Sequence, residues 1–375
     1  MSGLRRLRVV IAGGGVAALE TALALRTLAP ELTDITLVAP TDRFRFRAAA
    51  VGEPFGRAEV HRFDLASICR DIGVTLRHGT LSAVDADNRS ATIGGDETIE
   101  YDAVVVACGA VATPVVPGAL VFGGPEDVEA LRALVARIDA GDVHSVAFAV
   151  PASIGWALPA YELALLTAHR ADPRVSILLV TPEDEPLAAF GGEASAEVRQ
   201  LLDESGVALH LRQTPVEFSA GVLRTQPGDE LEVEHVVALP RLSGVPIDGL
   251  PVTRDGLLRT DAFGRVDNLA DVYAAGDITA FPVKQGGIAA EQADAVAEML
   301  AAEAGIEITP APFRPVLRGV LMTGGEDRFL RADLTGGRGN TAEADAQALW
   351  WPPSKVSGRY LAPYLAGLEA AATTT

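Results

Sequence analysis

Cysteine is almost missing from this sequence. Cys69 and Cys108 are the two thiols among 375 residues, and they form neither a CxxC or CxxxxC pair nor a metal-ligand spacing. That excludes a disulfide framework, a zinc site and a local redox dithiol, and no metal is expected. No window holds the run of about twenty apolar residues that a membrane helix needs. Basic residues are outnumbered, 31 Lys and Arg against 50 Asp and Glu, which leaves a net charge of −19. Nucleic acid and anionic membrane surfaces repel such a protein, so neither is expected as a partner, and the charge reads as a solubility feature. The opening MSGLRRLRVVIAGGG passes from a short basic lead into a strand, without the apolar core and cleavage site of a signal peptide. A cytoplasmic protein with reduced thiols is expected.

What the chain does have is punctuation by glycine. LRVVIA at Leu7 to Ala12 reads as a buried parallel strand, and Gly13-Gly14-Gly15-Val16-Ala17-Ala18 follows it. A helical run, LETALALRTLA, comes next, Pro30 stops it, and ITLVA at Ile35 to Ala39 is the second strand. The spacing matches the dinucleotide fingerprint with Ala18 at the third glycine position. Gly13 would make the turn, Gly15 would let the backbone approach a pyrophosphate, and Ala18 would permit close helix packing. The acid that should follow the second strand and bind a ribose hydroxyl is replaced by Ala39-Pro40. Asp42 stands nearby, either as its substitute or as a cap or partner for the arginines of RFRFR. Of these, Arg47 is the candidate to face phosphate or the cofactor.

A strand over Ala103 to Ala107 ends at Cys108-Gly109, and PVVPG at Pro114 to Gly118 marks a crossing into a second β-α-β unit. Where that unit should carry its own fingerprint it reads VPASIGWALPAYELA. Only Gly155 is available, while Pro151, Trp156 and Pro159 are bulky or lack a donor, so the pyrophosphate of NAD(P)H is poorly accommodated. Late in the chain VYAAGDITAFPVKQGGIA, Val272 to Ala289, combines a strand end, a Gly276-Asp277 turn and a glycine-rich start to an Ala-rich helix. A fixed carboxylate can accept ligand hydroxyls, and a helix N-terminus stabilises negative charge. From about Ala311 little regular pattern is visible, and Thr335 to Ala348 reads as a mobile loop.

The glycine turn, the ACG strand end and the YAAGD turn, in this order over roughly residues 7 to 305, resemble the flavin-dependent pyridine nucleotide-disulfide oxidoreductase superfamily. Within it the unorthodox second turn and the KQGGIAAEQA helix are most similar to the sulfide:quinone reductase and type II NADH dehydrogenase branch, lacking the redox cysteines. The resemblance implies an α/β fold of two Rossmann-like three-layer domains. An FAD domain is expected over 1–112 and 241–310, a second nucleotide-binding-like domain over 113–240, and a lid or interface segment over 311–375.

The resemblance also implies an FAD-dependent oxidoreductase in which Gly13, Gly15 and Ala17 bind the pyrophosphate, Gly276 makes the turn that presents Asp277 to the ribitol, and Lys284 to Ile288 approach the flavin ring. Together with the residues read above, the candidate cofactor contacts are Gly13, Gly14, Gly15, Ala17, Ala18, Pro40, Asp42, Arg47, Ala107, Cys108, Gly109, Gly276, Asp277, Lys284, Gln285, Gly286 and Ile288. Lys284 is the catalytic candidate, stabilising the anionic reduced flavin together with the helix that begins near Gly286. The expected partners are a small-molecule or redox-carrier substrate and a homodimer mate, with Trp350 and Trp351 in a lid or dimer contact. A flavin-bound sensor with little catalysis and a peripheral quinone reductase are the alternatives.

Overall fold

Two parallel sheets account for both β-α-β patterns. The computed structural model describes residues 6–335 and 338–373. Its first sheet has the order β20-β9-β1-β2-β5, built from β1 (Leu7–Ala12), β2 (Thr33–Ala39), β5 (Thr75–His78), β9 (Ala103–Val106) and β20 (Val272–Ala274). β1 pairs with β2 from Leu7↔Thr33 to Ala12↔Val38. Every residue of β9 is buried, as expected of a strand covered on both faces. The second sheet repeats the plan in the order β11-β18-β12-β13-β14, from β11 (Leu120–Val121), β12 (Ser145–Ala149), β13 (Ser176–Val180), β14 (Val207–His210) and β18 (His235–Ala238). Where the chain leaves one sheet and returns to it, β10 (Val111–Thr113) and β19 (Arg241–Ser243) pair antiparallel, so both crossings share one ribbon.

Helix α1 (Val16–Leu28) is rich in Ala and Leu, the best helix formers, and ends where Pro30 cannot extend it. It packs on α6 (Gly286–Glu303) through Ala18, Ala22, Ala289, Ala293 and Ala297, small side chains that let the two backbones come close. α6 starts at Gly286, where the glycine-rich stretch places it. Both glycines lie inside its first turn because Gln285 caps it, its Oε1 accepting the Ile288 N–H at 3.0 Å. In the second unit α3 (Val128–Asp139), α4 (Leu158–Arg170) and α5 (Gly192–Glu204) accompany the strands. Short antiparallel pieces fill the connections: β3 (Arg43–Arg45) with β4 (Arg62–Asp64), β6 (Leu81–Asp85) to β8 (Glu97–Glu100) through β7 (Ser90–Ile93), and β15 (Thr214–Ser219) to β17 (Glu230–Glu232) through β16 (Val222–Gln226). α2 (Leu65–Asp71) follows β4, capped by Asp64 on the Ser67 N–H.

The C-terminal part departs from the expectation of little order. β21 (Val316–Leu321), β22 (Arg328–Thr335) and β23 (Arg338–Asp345) form an antiparallel sheet, and α7 (Leu361–Thr373) closes the chain. Most of the stretch expected to be a mobile loop is therefore strand; its two residues 336 and 337 lie outside the described residues. The polar sequence of β23 has no apolar alternation of its own. Its extended form comes from pairing with β22, whose Leu330 and Ala332 are fully buried.

Candidate functional site

The carboxyl ends of β1, β2, β9 and β20 open onto one cavity of about 820 Å³, the crevice where doubly wound sheets take ligands. The three glycines at its wall do different work. Gly13 has φ +140°, and a Cβ there would lie 2.1 Å from the Ala107 carbonyl oxygen, so only glycine fits between β1 and β9. At Gly14 a Cβ would press on Leu65 Cδ1 at 2.9 Å and Ala39 Cβ at 3.1 Å. Gly15 meets nothing within 4 Å, and as N-cap of α1 it supplies no side chain to the first-turn N–H groups. Those donors and the open face above them are what an anionic pyrophosphate requires.

Gly276 and Asp277 line the cavity beside the start of α1, a Cβ on Gly276 coming within 3.1 Å of Ala17 Cβ. Gly276, at φ +84°, is pinned by α6: its N–H donates to Gln292 Oε1 at 2.8 Å, and Gln292 Nε2 donates to Thr279 Oγ1 at 3.2 Å. Burial raises the Asp277 carboxyl pKa, with Lys284 and Arg47 acting against it. Burial likewise lowers the Lys284 ammonium pKa, and Asp277 opposes that. The Lys284 Nζ donates to the carbonyl oxygens of Asp277, at 3.0 Å, and Thr279.

Most residues named from the sequence line this cavity: Gly13, Gly14, Gly15, Ala17, Pro40, Arg47, Ala107, Cys108, Gly109, Gly276, Asp277, Lys284, Gln285 and Gly286. Three do not. Ala18 is wholly buried between α1 and α6, Ile288 is buried with its N–H already taken by Gln285, and Asp42 is exposed outside the cavity. Where the missing ribose acid would act, the wall is made by Pro40, Thr41, Arg43, Gly79 and Thr80. Trp350 packs edge-on against Phe329 and Trp351 is 88% exposed; neither lines the cavity.

The second-domain turn reaches the same cavity through Ile154, Gly155, Trp156 and Pro159. The carboxylate after β13, where a dinucleotide would find its ribose acid, is Glu183, and it is engaged internally. Tyr161 donates to it at 2.6 Å and the Thr181 hydroxyl at 2.9 Å, and burial raises its pKa.

Two buried glutamates escaped the sequence reading, although each is an acid inside an otherwise apolar helix. Glu162 on α4 lines the cavity, accepts the Met322 N–H at 3.0 Å and pairs with Lys355. Burial raises its pKa and Lys355 opposes this. Glu20 on α1 accepts the Tyr360 and Leu361 N–H groups, both at 2.7 Å, at the start of α7. Asp294 of α6 lies against it with its pKa pushed up to about 8, first by burial and then by the Glu20 charge. Its Oδ1 is buried without a hydrogen-bond partner among the described residues. These two sites hold both ends of the segment 355–361, which carries Lys355 and Val356 into the cavity.

Cys69 is buried on α2 away from the cavity, and burial pushes both thiols up to about 11, so neither is a thiolate near neutral pH. No helix among the described residues is long and apolar enough to cross a membrane.

The family model described as pyridine nucleotide-disulphide oxidoreductase matches residues 7–299. An NADH dehydrogenase-like protein of Mycobacterium tuberculosis (strain ATCC 25618 / H37Rv) is 27% identical over 302 residues, 73% of either chain. Among solved structures, the sulfide:quinone oxidoreductase of the hyperthermophilic bacterium Aquifex aeolicus superposes with a TM-score of 0.81 at 19% identity, over 90% of this chain and 86% of that one. A ferredoxin reductase for the CYP199A2 system of Rhodopseudomonas palustris gives 0.66 at 19% identity, over 88% and 83%.

An open glycine turn and a half-buried Asp277 lining one cavity, on this fold, define an FAD-dependent oxidoreductase. The chain belongs to the pyridine nucleotide-disulphide oxidoreductase family, as its three motifs implied.

Proposed function

We propose that the protein passes electrons or a hydride from a small-molecule or carrier donor to an acceptor without a redox disulfide. The observation that carries this reading is the single cavity thiol, Cys108, which is neutral and has no second cysteine beside it. FAD supplies the electron transfer when bound. Gly13 to Gly15 and the start of α1 hold its pyrophosphate, and Asp277 takes hydroxyls of the ribitol. Lys284 and the N-terminus of α6 place positive charge at the ring end. Glu162 stands at the cavity wall paired with Lys355, its carboxyl pKa raised by burial against the pull of that ammonium, where it can exchange a proton with a bound reactant.

A second reading makes NAD(P)H the donor, favoured by the NADH dehydrogenase-like relative. Against it stand the filled surroundings of Gly155 and the engaged Glu183. Anaerobic reduction by NADH, NADPH, sulfide and dithionite in parallel separates the two. Reduction by dithionite with only slow reduction by either pyridine nucleotide supports the first reading, and reduction by NADH or NADPH at catalytic rates establishes the second. Loss of turnover in Cys108→Ser, or protein that cannot be loaded with FAD, would sink the proposal itself.

A further inference from the structure

Gly155 is the one glycine of the second-domain turn, and the first domain fills the space beside it. A Cβ there would lie 2.4 Å from Lys284 Cγ, 2.9 Å from the Pro282 carbonyl oxygen and 3.0 Å from Lys284 Cβ. The two backbones are joined as well, the Lys284 N–H donating to the Gly155 carbonyl at 3.1 Å. Beyond that clamp the Lys284 Nζ reaches the carbonyl oxygens of Asp277 and Thr279. The first torsions of a lysine decide where its ammonium can go, so atoms pressed on Cβ and Cγ select the position of Nζ. The contact is made near the backbone, where the side chain cannot swing away.

We propose that Gly155 is a positioning residue for Lys284. The turn that in a dinucleotide domain would cradle a pyrophosphate here grips the lysine's stem, and the second domain thereby sets the positive charge at the ring end of the cavity. This rests on the reading of that end as the flavin end. It adds that the glycine is kept for a lysine and not for a nucleotide. An ammonium held in a partly desolvated site stabilises a nearby anion more than one free in water, so its position tunes how readily the bound cofactor accepts electrons. The charged group that acts on it is Asp277, whose carboxylate is in turn acted on by Arg47.

Gly155→Ala, Lys284→Ala and the double variant test this with two readouts. The first needs no cofactor: competitive acylation of Lys284 against pH, read by mass spectrometry. In the unaltered protein Lys284 titrates below the ordinary lysine value, and in Gly155→Ala it moves back toward about 10.4. The second is the midpoint potential of the FAD-loaded protein. Each single variant shifts it to more negative values, and the double variant sits where Lys284→Ala alone does, because the clamp has nothing left to hold. An unchanged Gly155→Ala in both readouts, or shifts that add in the double variant, overturns the proposal. Should Gly155→Ala fail to fold, recovery on adding Lys284→Ala supports the contact and no recovery counts against it. Protein that titrates as expected but holds no FAD would refute the flavin reading and leave the clamp standing.

Discussion

The turn after β1 and the turn after β12 occupy the same place in two copies of one topology, yet only one is open. At Gly15 the space beside the backbone is empty for 4 Å; at Gly155 it is taken by Lys284 and Pro282. The helices that follow both carry a buried glutamate, Glu20 on α1 and Glu162 on α4, and both glutamates hold the same C-terminal segment. A shared fold therefore does not imply a shared ligand; what decides is which atoms stand in front of the turn.

Substitutions can break this contrast to different degrees. Gly13→Ala should have the largest effect: a Cβ 2.1 Å from a carbonyl oxygen at φ +140° admits no relaxation without parting β1 from β9. A loss of about 4 kcal/mol in chemical denaturation, together with loss of flavin absorbance, is expected. Next comes Glu162→Gln, which takes the carboxylate away from the partly buried Lys355 and should cost about 3 kcal/mol, with FAD affinity nearly unchanged. A normal melting profile for that variant would show that the pair contributes little to holding the segment. Gly15→Ala should separate binding from folding, since its backbone, at φ −97°, suits alanine and no atom opposes the new methyl. FAD affinity measured by titration should fall about 10- to 100-fold, or roughly 1.4–2.8 kcal/mol, while the midpoint of urea unfolding stays put.

Asp294→Asn probes the Glu20 end of the same segment. The Asp294 carboxyl holds its proton to about pH 8 in the folded chain but only to about 3.9 when unfolded, so its contribution is present at low pH and is lost as pH rises toward 8. Asparagine cannot lose that proton. The variant should melt above the parent at pH 8–9, with a gap that narrows toward pH 5; a gap independent of pH would rule out a shared proton. Glu20, Glu291, Glu298, Arg359 and Tyr360 surround the site and remain in both proteins. The smallest effect belongs to Ser153→Gly in the second turn. Ser153 sits at φ +61°, so glycine relieves left-handed strain and should add about 0.5 kcal/mol without touching FAD binding.

The sequence was most legible where the chemistry is local. Gly13 to Ala18 and Gly276-Asp277 announce themselves because a turn, a close approach and a helix start follow one another within a few residues. The unusual second turn was readable in the same way, from Pro151, Trp156 and Pro159. Pairings across long separations were not: Glu162 meets Lys355 193 residues away, and Glu20 meets Leu361 341 residues away. A lone acid in an apolar helix is the signal that could have found each glutamate, although it could not have named its partner. The strands beyond Ala311 were missed because β23 owes its extended form to β22. The burial of Ile288 outside the cavity was not legible, because it follows from the cap that Gln285 places on its N–H.

The grip of Glu20 on Tyr360 and Leu361 has a consequence for synthesis. A helix made near the start of translation receives its buried carboxylate's partners only after nearly the whole chain has been made, and the cavity wall lacks Lys355 and Val356 until then. A ribosome-bound chain halted before residue 355 would present a finished glycine turn beside an unfinished pocket. Firm retention of the cofactor is thus expected late in the life of the polypeptide, and flavin fluorescence on stalled chains of increasing length would test it, retention by chains halted before residue 355 speaking against it.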